Sequence, residues 1–234
     1  MYWLKSPNIS VMHGFSIRKG GVSPAPFDSL NLGGHEDDPA NIAENRRRAL
    51  EELGVDIHSI ANLKQVHGND VLTAVRGTQT GDALVTSEKG MTLVISVADC
   101  YPLLFHDPVN GVIGAAHAGW RGTAGRIAAN TLTKMKELGA DIGKVRVAIG
   151  QGICLENFEV GEEVLAQFRE QGFPETCISG RYIDLLEANR FVLLESGVKP
   201  EHIHALNRCT TEPDFFSYRR DKGRTGRMWG LISL

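Results

Sequence analysis

The chain contains no CxxC pair, no Walker loop, no GxSxG elbow and no HExxH segment. The first absence excludes zinc ribbons and thioredoxin-type sites. The others exclude P-loop nucleotide hydrolysis, the serine-hydrolase elbow and zincin proteolysis. No histidine is followed two residues later by glutamate, so the H-x-E…P-C-x-x-C signature of cytidine-type deaminases is also missing. A surplus of one charge is equally scarce. The formal net charge is −3, which argues against general affinity for nucleic acid or a membrane surface. The opening MYWLKSPNIS lacks the apolar stretch of a signal peptide, and no apolar run approaches a bilayer span. The expectation is a cytoplasmic protein without nucleic-acid or membrane partners. In a reducing cytosol its four cysteines are poor candidates for disulfides.

With 234 residues, the chain is long enough to bury a sizeable core and reads as a single domain over 1–234. VMHGFSI reads as a strand, followed by a loop over residues 18–38 rich in Gly, Pro, Asp and Asn. Loops of that length in compact domains are usually functional or disordered. Pro39 opens a helix that Gly54 closes. NLKQVH, DVLTAV, DALVT, TLVISVA, PLLFHD and GVIGAAHA then read as short strands separated by GN, GD, KG and VNG turns, a hairpin-like pattern. One continuous helix is expected over 123–138, and two more near 160–171 and 184–196. KVRVAIG, HIHALN and RMWGLISL complete the strands. The fold class is α+β: a mixed or antiparallel, sandwich-like β core flanked by helices.

Three segments each set a metal-ligating side chain beside a turn at the end of a strand-like run. They are QVHG (His67), ADCYP (Cys100) and AAHAGWRG (His117). Two imidazoles and a thiolate suit zinc, with a fourth position left for water or substrate. Such an ion brings the pKa of its water toward neutrality, as hydrolysis or deamination requires. Cys100 and His117 also suit a thiol nucleophile and its base. A buried apolar cysteine is the plain structural alternative. Asp99 is a candidate proton carrier. His106, His202 and His204 read as spectators, because no third ligand stands near them in sequence.

Arg121 precedes a glycine-rich helix start, where free N–H groups and a guanidinium suit an anion. Arg18 and the segment FFSYRRDKGRTGR add cations, with Arg220 the next phosphate candidate. Phe215, Phe216 and Tyr218 interleave with those arginines as an aromatic and basic wall, or form a solvated face. Gln65, beside the first ligand, is a candidate for orienting base or metal. Trp120 reads as core packing.

LKQVHGNDV, GDALVTSEKGMTLVISVADCYPLLF, VIGAAHAGWRGTAGRI, NFEVGEEV and FFSYRRDKGRTGRMWGLISL together resemble the laccase-domain family. This family, formerly described as multicopper polyphenol oxidases, is now treated as purine nucleoside phosphorylases. SIRKGGVSPAPFDSLNLGGHEDDPANIAENRRR resembles its N-terminal segment, so the match runs in order from about Phe15 to the end. The resemblance implies a zinc enzyme that phosphorolyses adenosine, inosine, guanosine and methylthioadenosine and deaminates adenosine. Purine nucleosides and phosphate are thus the implied partners. The family's metal ligands fall on His67, Cys100 and His117. The implied fold is related to toxin deamidases that use a Cys–His pair, which keeps the thiol mechanism as an alternative. Copper fits less well, because a multicopper enzyme needs a further histidine-rich cluster and the chain has eight histidines. GQGICLENFEVG departs from the family pattern at Gln151, Cys154 and Leu155. Cys154 is a conceivable fourth ligand of a closed, structural zinc site.

Overall fold

The computed structural model describes residues 2–34 and 36–234. Two six-stranded sheets form its centre. The first has the order β1 (Trp3–Leu4), β2 (His13–Ser16), β14 (Met228–Ser233), β7 (Thr92–Val97), β3 (Ile60–Lys64), β5 (Gly77–Thr80). The second has the order β13 (Ile203–Ala205), β10 (Arg146–Ile149), β8 (Tyr101–Asp107), β9 (Val112–Ala118), β6 (Ala83–Thr86), β4 (Val71–Thr73). A small hairpin joins β11 (Ile178–Ser179) to β12 (Tyr182–Ile183).

Side-chain alternation explains the layering. In β8, Leu104 turns into a core shared with Phe15, Leu93, Ile95 and Met228 of the first sheet. Its neighbours Leu103 and Phe105 turn the other way, toward the helices. Both faces of the second sheet are therefore buried, and β8 and β9 read as nearly unbroken apolar runs. Helices α2 (Trp120–Ala124), α3 (Ile127–Glu137), α4 (Glu162–Glu170) and α5 (Leu185–Glu195) cover that outer face. Helix α1 (Pro39–Leu53) covers the first sheet through Ala49, Leu50 and Leu53 against Trp3, Val94 and Trp229. The result is a helix–sheet–sheet–helix sandwich, the expected α+β class.

Helix α1 begins and ends as predicted. Asp38 caps Ala40 N, Pro39 occupies the first turn, and Gly54 closes the helix at φ 66. Two expectations fail. The continuous helix over 123–138 is broken between α2 and α3, where Arg126 takes a left-handed φ of 58. Asn69 Nδ2 captures the Gly125 carbonyl at 2.7 Å, ending α2 from outside. The strands are also not a simple run of hairpins. β3 pairs in parallel with β5 and β7, β4 with β6, and β10 with β13. The consecutive strands β7 and β8 lie in different sheets, and Asp99, at φ 83, turns the chain between them.

Polar anchors hold the described residues of the long loop over 18–38 against α1. Asn45 Nδ2 donates to Ser23 Oγ, Ser29 O and Asn31 O, and its Oδ1 accepts Val22 N. Asp37 accepts from Ser23 Oγ and Asn31 Nδ2. These buried bonds replace the ladder that an irregular segment lacks.

Candidate metal centre and active site

β8 and β9 pair with Tyr101 opposite Ala118 and Pro102 opposite His117. Cys100, just before β8, thereby meets Gly119, just after β9. A Cβ at Gly119 would stand 2.9 Å from Cys100 Sγ and 3.6 Å from His67 Cδ2. Glycine at that position leaves room for the thiol. His67 arrives from the turn after β3, with φ 59. Its ring lies edge-on to His117, with centroids 4.9 Å apart. The ligand atoms of His67, Cys100 and His117 all lie within 4.8 Å of one another. They form the one such cluster of three or more metal-ligating groups among the described residues.

Asp82 organises the trio. Its carboxylate accepts Val66 N at 3.2 Å, His67 N at 3.0 Å and Gly68 N at 2.7 Å, fixing the turn that carries His67. Asp82 Oδ1 also accepts from His117 Nδ1 at 2.9 Å, leaving Nε2 free to act as a ligand. Its backbone carbonyl accepts His117 N at 2.8 Å. Asp82 is fully buried, yet its pKa is lowered: burial raises it, while His117 and the turn N–H groups prevail. Burial likewise pushes the Cys100 thiol up, but His117 and His67 bring it down to about 6. Burial depresses His117, and Cys100 and Asp82 raise it to about 9. The shifts describe a thiolate paired with the His117 imidazolium; once His117 Nε2 gives up its proton, the sulfur and two imidazoles make a donor set suited to a tetrahedral divalent ion.

A cleft of about 510 Å³ opens at His67 and is lined by Asn69, Arg121, Asn130, Gln167 and Gln171. That volume suits a nucleoside-sized ligand. Arg121 is exposed and stacks over the Trp120 ring at 4.3 Å, with no carboxylate or carbonyl partner among the described residues. Trp120 is partly buried against the core, so it packs as expected while also supporting Arg121.

The other predicted residues are committed elsewhere. Gln65 donates to Ser96 O and accepts Ser96 N, each at 2.8 Å, like an extra rung of sheet. Asp99 accepts from Thr210 Oγ1 at 2.5 Å and Arg219 N at 2.7 Å, so both its oxygens hold the 210–219 segment. Arg18 donates to Asp28 O and pairs with its carboxylate. Arg220 spends its guanidinium on Asp221 and on the carbonyls of Glu212 and Phe215. Gln151 is buried and donates to Ser16 O.

Cys154 requires a correction. It forms a disulfide with Cys209, 55 residues away, against the expectation of free thiols. The bridge between Gly152 and Cys209 brings the two segments side by side. A disulfide sulfur is not a thiolate ligand, so Cys154 does not close the metal site. Asp82 carries no signal in the sequence, because the GD dipeptide before β6 has the form of a plain turn.

A family model described as multi-copper polyphenol oxidoreductase laccase matches residues 12–234. The chain is 50% identical to a purine nucleoside phosphorylase from Deinococcus radiodurans, covering 99% of this chain and 92% of the relative. It is 31% identical to adenosine deaminase RL5 from an unknown prokaryotic organism, covering 93% of each. The crystal structure of YlmD from Geobacillus stearothermophilus superposes with a TM-score of 0.92 at 38% identity, covering 100% of this chain and 96% of that one. With a family model spanning nearly the whole chain and relatives aligned end to end, the protein belongs to the multi-copper polyphenol oxidoreductase laccase family, whose members include purine nucleoside phosphorylases.

Proposed function

We propose that the protein is a zinc-dependent purine nucleoside phosphorylase acting on adenosine, inosine, guanosine and methylthioadenosine, with adenosine deaminase activity. The observation that carries this reading is the His67–Cys100–His117 cluster, braced by Asp82, beside a nucleoside-sized cleft. The relatives named purine nucleoside phosphorylase and adenosine deaminase supply the substrate class. His67, Cys100 and His117 would hold the metal. A zinc ion bound there would supply Lewis acidity to the reaction.

In phosphorolysis a phosphate oxygen bonds to C1′ of the ribose as the C1′–N9 bond breaks. The bonding pair leaves with the purine, which takes up one proton, and ribose 1-phosphate is the other product. The protein's contribution is to position the reactants and stabilise the departing charge. Arg121, unpaired at the cleft mouth, contacts substrate there. In deamination, water replaces the 6-amino group of adenosine, giving inosine and ammonia. The test is to chromatograph products from zinc-loaded protein given adenosine with and without phosphate. Adenine that requires phosphate supports the reading, and an absence of any purine product overturns it.

A second reading rests on the relay Asp82–His117–Cys100, which also has the form of a thiol nucleophile, base and orienting carboxylate. A thiol hydrolase would keep its activity after exhaustive chelation. A copper polyphenol oxidase gains less support, because the described residues offer one ligand cluster and no second.

A further inference from the structure

Asp99 stands in the turn just ahead of Cys100 with φ 83, a left-handed backbone that a residue other than glycine keeps only when its surroundings hold it. Three bonds hold it here. Its carbonyl accepts Ile153 N at 2.8 Å, and its buried carboxylate accepts Thr210 Oγ1 at 2.5 Å and Arg219 N at 2.7 Å. Two of these donors are sequence neighbours of the disulfide: Ile153 precedes Cys154, and Thr210 follows Cys209. The Cys154–Cys209 bond therefore joins the two segments that fix Asp99. Their backbone pairing is otherwise an isolated bridge, in which Gly152 N donates to Arg208 O at 3.3 Å and Thr210 N to Gly152 O at 2.9 Å. No strand ladder would hold the segments together if the sulfurs parted.

The bond is also placed for exchange with an outside thiol. Cys154 and Cys209 are both half-buried, whereas the free Cys177 is 1% exposed. Cys209 Sγ lies 3.2 Å from Cys154 N, 3.1 Å from Thr211 Oγ1 and 3.6 Å from Asn157 Nδ2. Cys154 Sγ has one such donor among the described residues, Asn157 Nδ2 at 3.1 Å. Hydrogen-bond donors stabilise a thiolate, so Cys209 is the better leaving group.

We infer that Cys154–Cys209 is a reversible thiol–disulfide site, open to exchange with a dithiol, and that its opening loosens Asp99 and the turn that carries Cys100. One thiolate of the dithiol attacks Cys154 Sγ, and the electron pair of the Cys154–Cys209 bond leaves on Cys209 Sγ. The second thiolate then attacks the dithiol's own sulfur in the mixed disulfide and releases Cys154. The dithiol is oxidised to a disulfide, the protein gains two electrons, and the two thiol protons finish on Cys154 and Cys209. Without the covalent bond the sulfurs move apart to ordinary contact and separate the segments that carry Ile153 and Thr210. The inference rests on the proposed metal centre only for the use made of Cys100.

The experiment treats metal-free protein with dithiothreitol in the absence of denaturant and follows Cys154 and Cys209 by alkylation and mass spectrometry. Hydrogen exchange read by NMR follows the Ile153 and Arg219 amides, which bind Asp99, with the His117 amide, held by Asp82, as the reference. Both cysteines should become alkylated, and oxidised glutathione should close the bond again once the dithiothreitol is removed. On opening, the Ile153 and Arg219 amides should exchange about tenfold faster while His117 is unmoved. The double variant Cys154→Ala with Cys209→Ala should show the same fast exchange without reductant and bind zinc roughly tenfold more weakly than the oxidised wild type. A disulfide that opens only in denaturant, Asp99-bound amides unmoved by its opening, or an undiminished zinc affinity in the double variant overturns the switch. Reversible opening with fast exchange, in a protein that binds no zinc in either form, supports the switch and overturns the metal reading instead.

Discussion

Asp82 Oδ1 stands 2.9 Å from His117 Nδ1 and 3.0 Å from His67 N, so one buried carboxylate positions two of the three candidate ligands. Asp82→Asn keeps the size of the side chain but loses the charge that matches the imidazole and the three turn N–H groups. Zinc affinity is expected to fall by about 10- to 100-fold. Competition against a fluorescent chelator measures it, and an unchanged affinity would show that the turn holds without this brace.

Cys100→Ser and Cys100→Ala separate the metal reading from the thiol reading. Both variants should release zinc on dialysis and lose phosphorolysis together. In the wild type, chelation should abolish turnover, and added zinc should restore it. Turnover that survives chelation yet is lost in Cys100→Ser would identify a thiol enzyme instead.

Stability should decline on the acid side of neutrality through two buried histidines. His13 and His106 are 4% and 3% exposed, and burial is the leading cause that lowers each below its ordinary value of 6.5. The fold thus prefers both rings neutral. Their contribution is complete above pH 6.5 and is lost as pH falls through the lowered folded values. His13 Nε2 accepts Ser6 N, a bond that protonation removes. His106 Nδ1 has no partner, so His106→Leu removes the titration without removing a hydrogen bond at that atom. Urea midpoints measured from pH 7 down to about 5 should fall, and fall less in His106→Leu.

The Cys154–Cys209 disulfide closes a loop with a sequence separation of 55 and ties together the segments that hold Asp99 through Thr210. Reduction, or Cys154→Ser, should cost about 3–4 kcal/mol of unfolding free energy. Denaturant melts with and without reductant measure this. Thiol counting on unfolded protein should give two free groups before reduction, Cys100 and Cys177, and four after it.

Much of this was legible in the sequence, and the exceptions have physical causes. Period-two and period-3.6 patterns located most strands and helices, since those patterns reflect burial on one face or both. Parallel pairing of β3 with β5 and β7 was hidden, because pairing partners depend on long-range register that local turns do not encode. The break at Arg126 was hidden too, because it is imposed by Asn69, remote in sequence. His67, Cys100 and His117 were visible as ligands stranded at strand ends. Asp82 is not visible in this way: an aspartate in a turn has the pattern of an ordinary surface residue. Its importance comes from burial and from the His117 ring and the turn N–H groups that it binds, which only the packed chain brings together.

If the His67–Cys100–His117 centre drives cleavage of nucleosides by phosphate, ³¹P NMR of zinc-loaded protein with inosine and phosphate, run beside Cys100→Ala, decides it. The wild type should give a growing ribose 1-phosphate signal, matched by hypoxanthine release, and the variant none. No such signal from the wild type, or the same signal from both proteins, would contradict it.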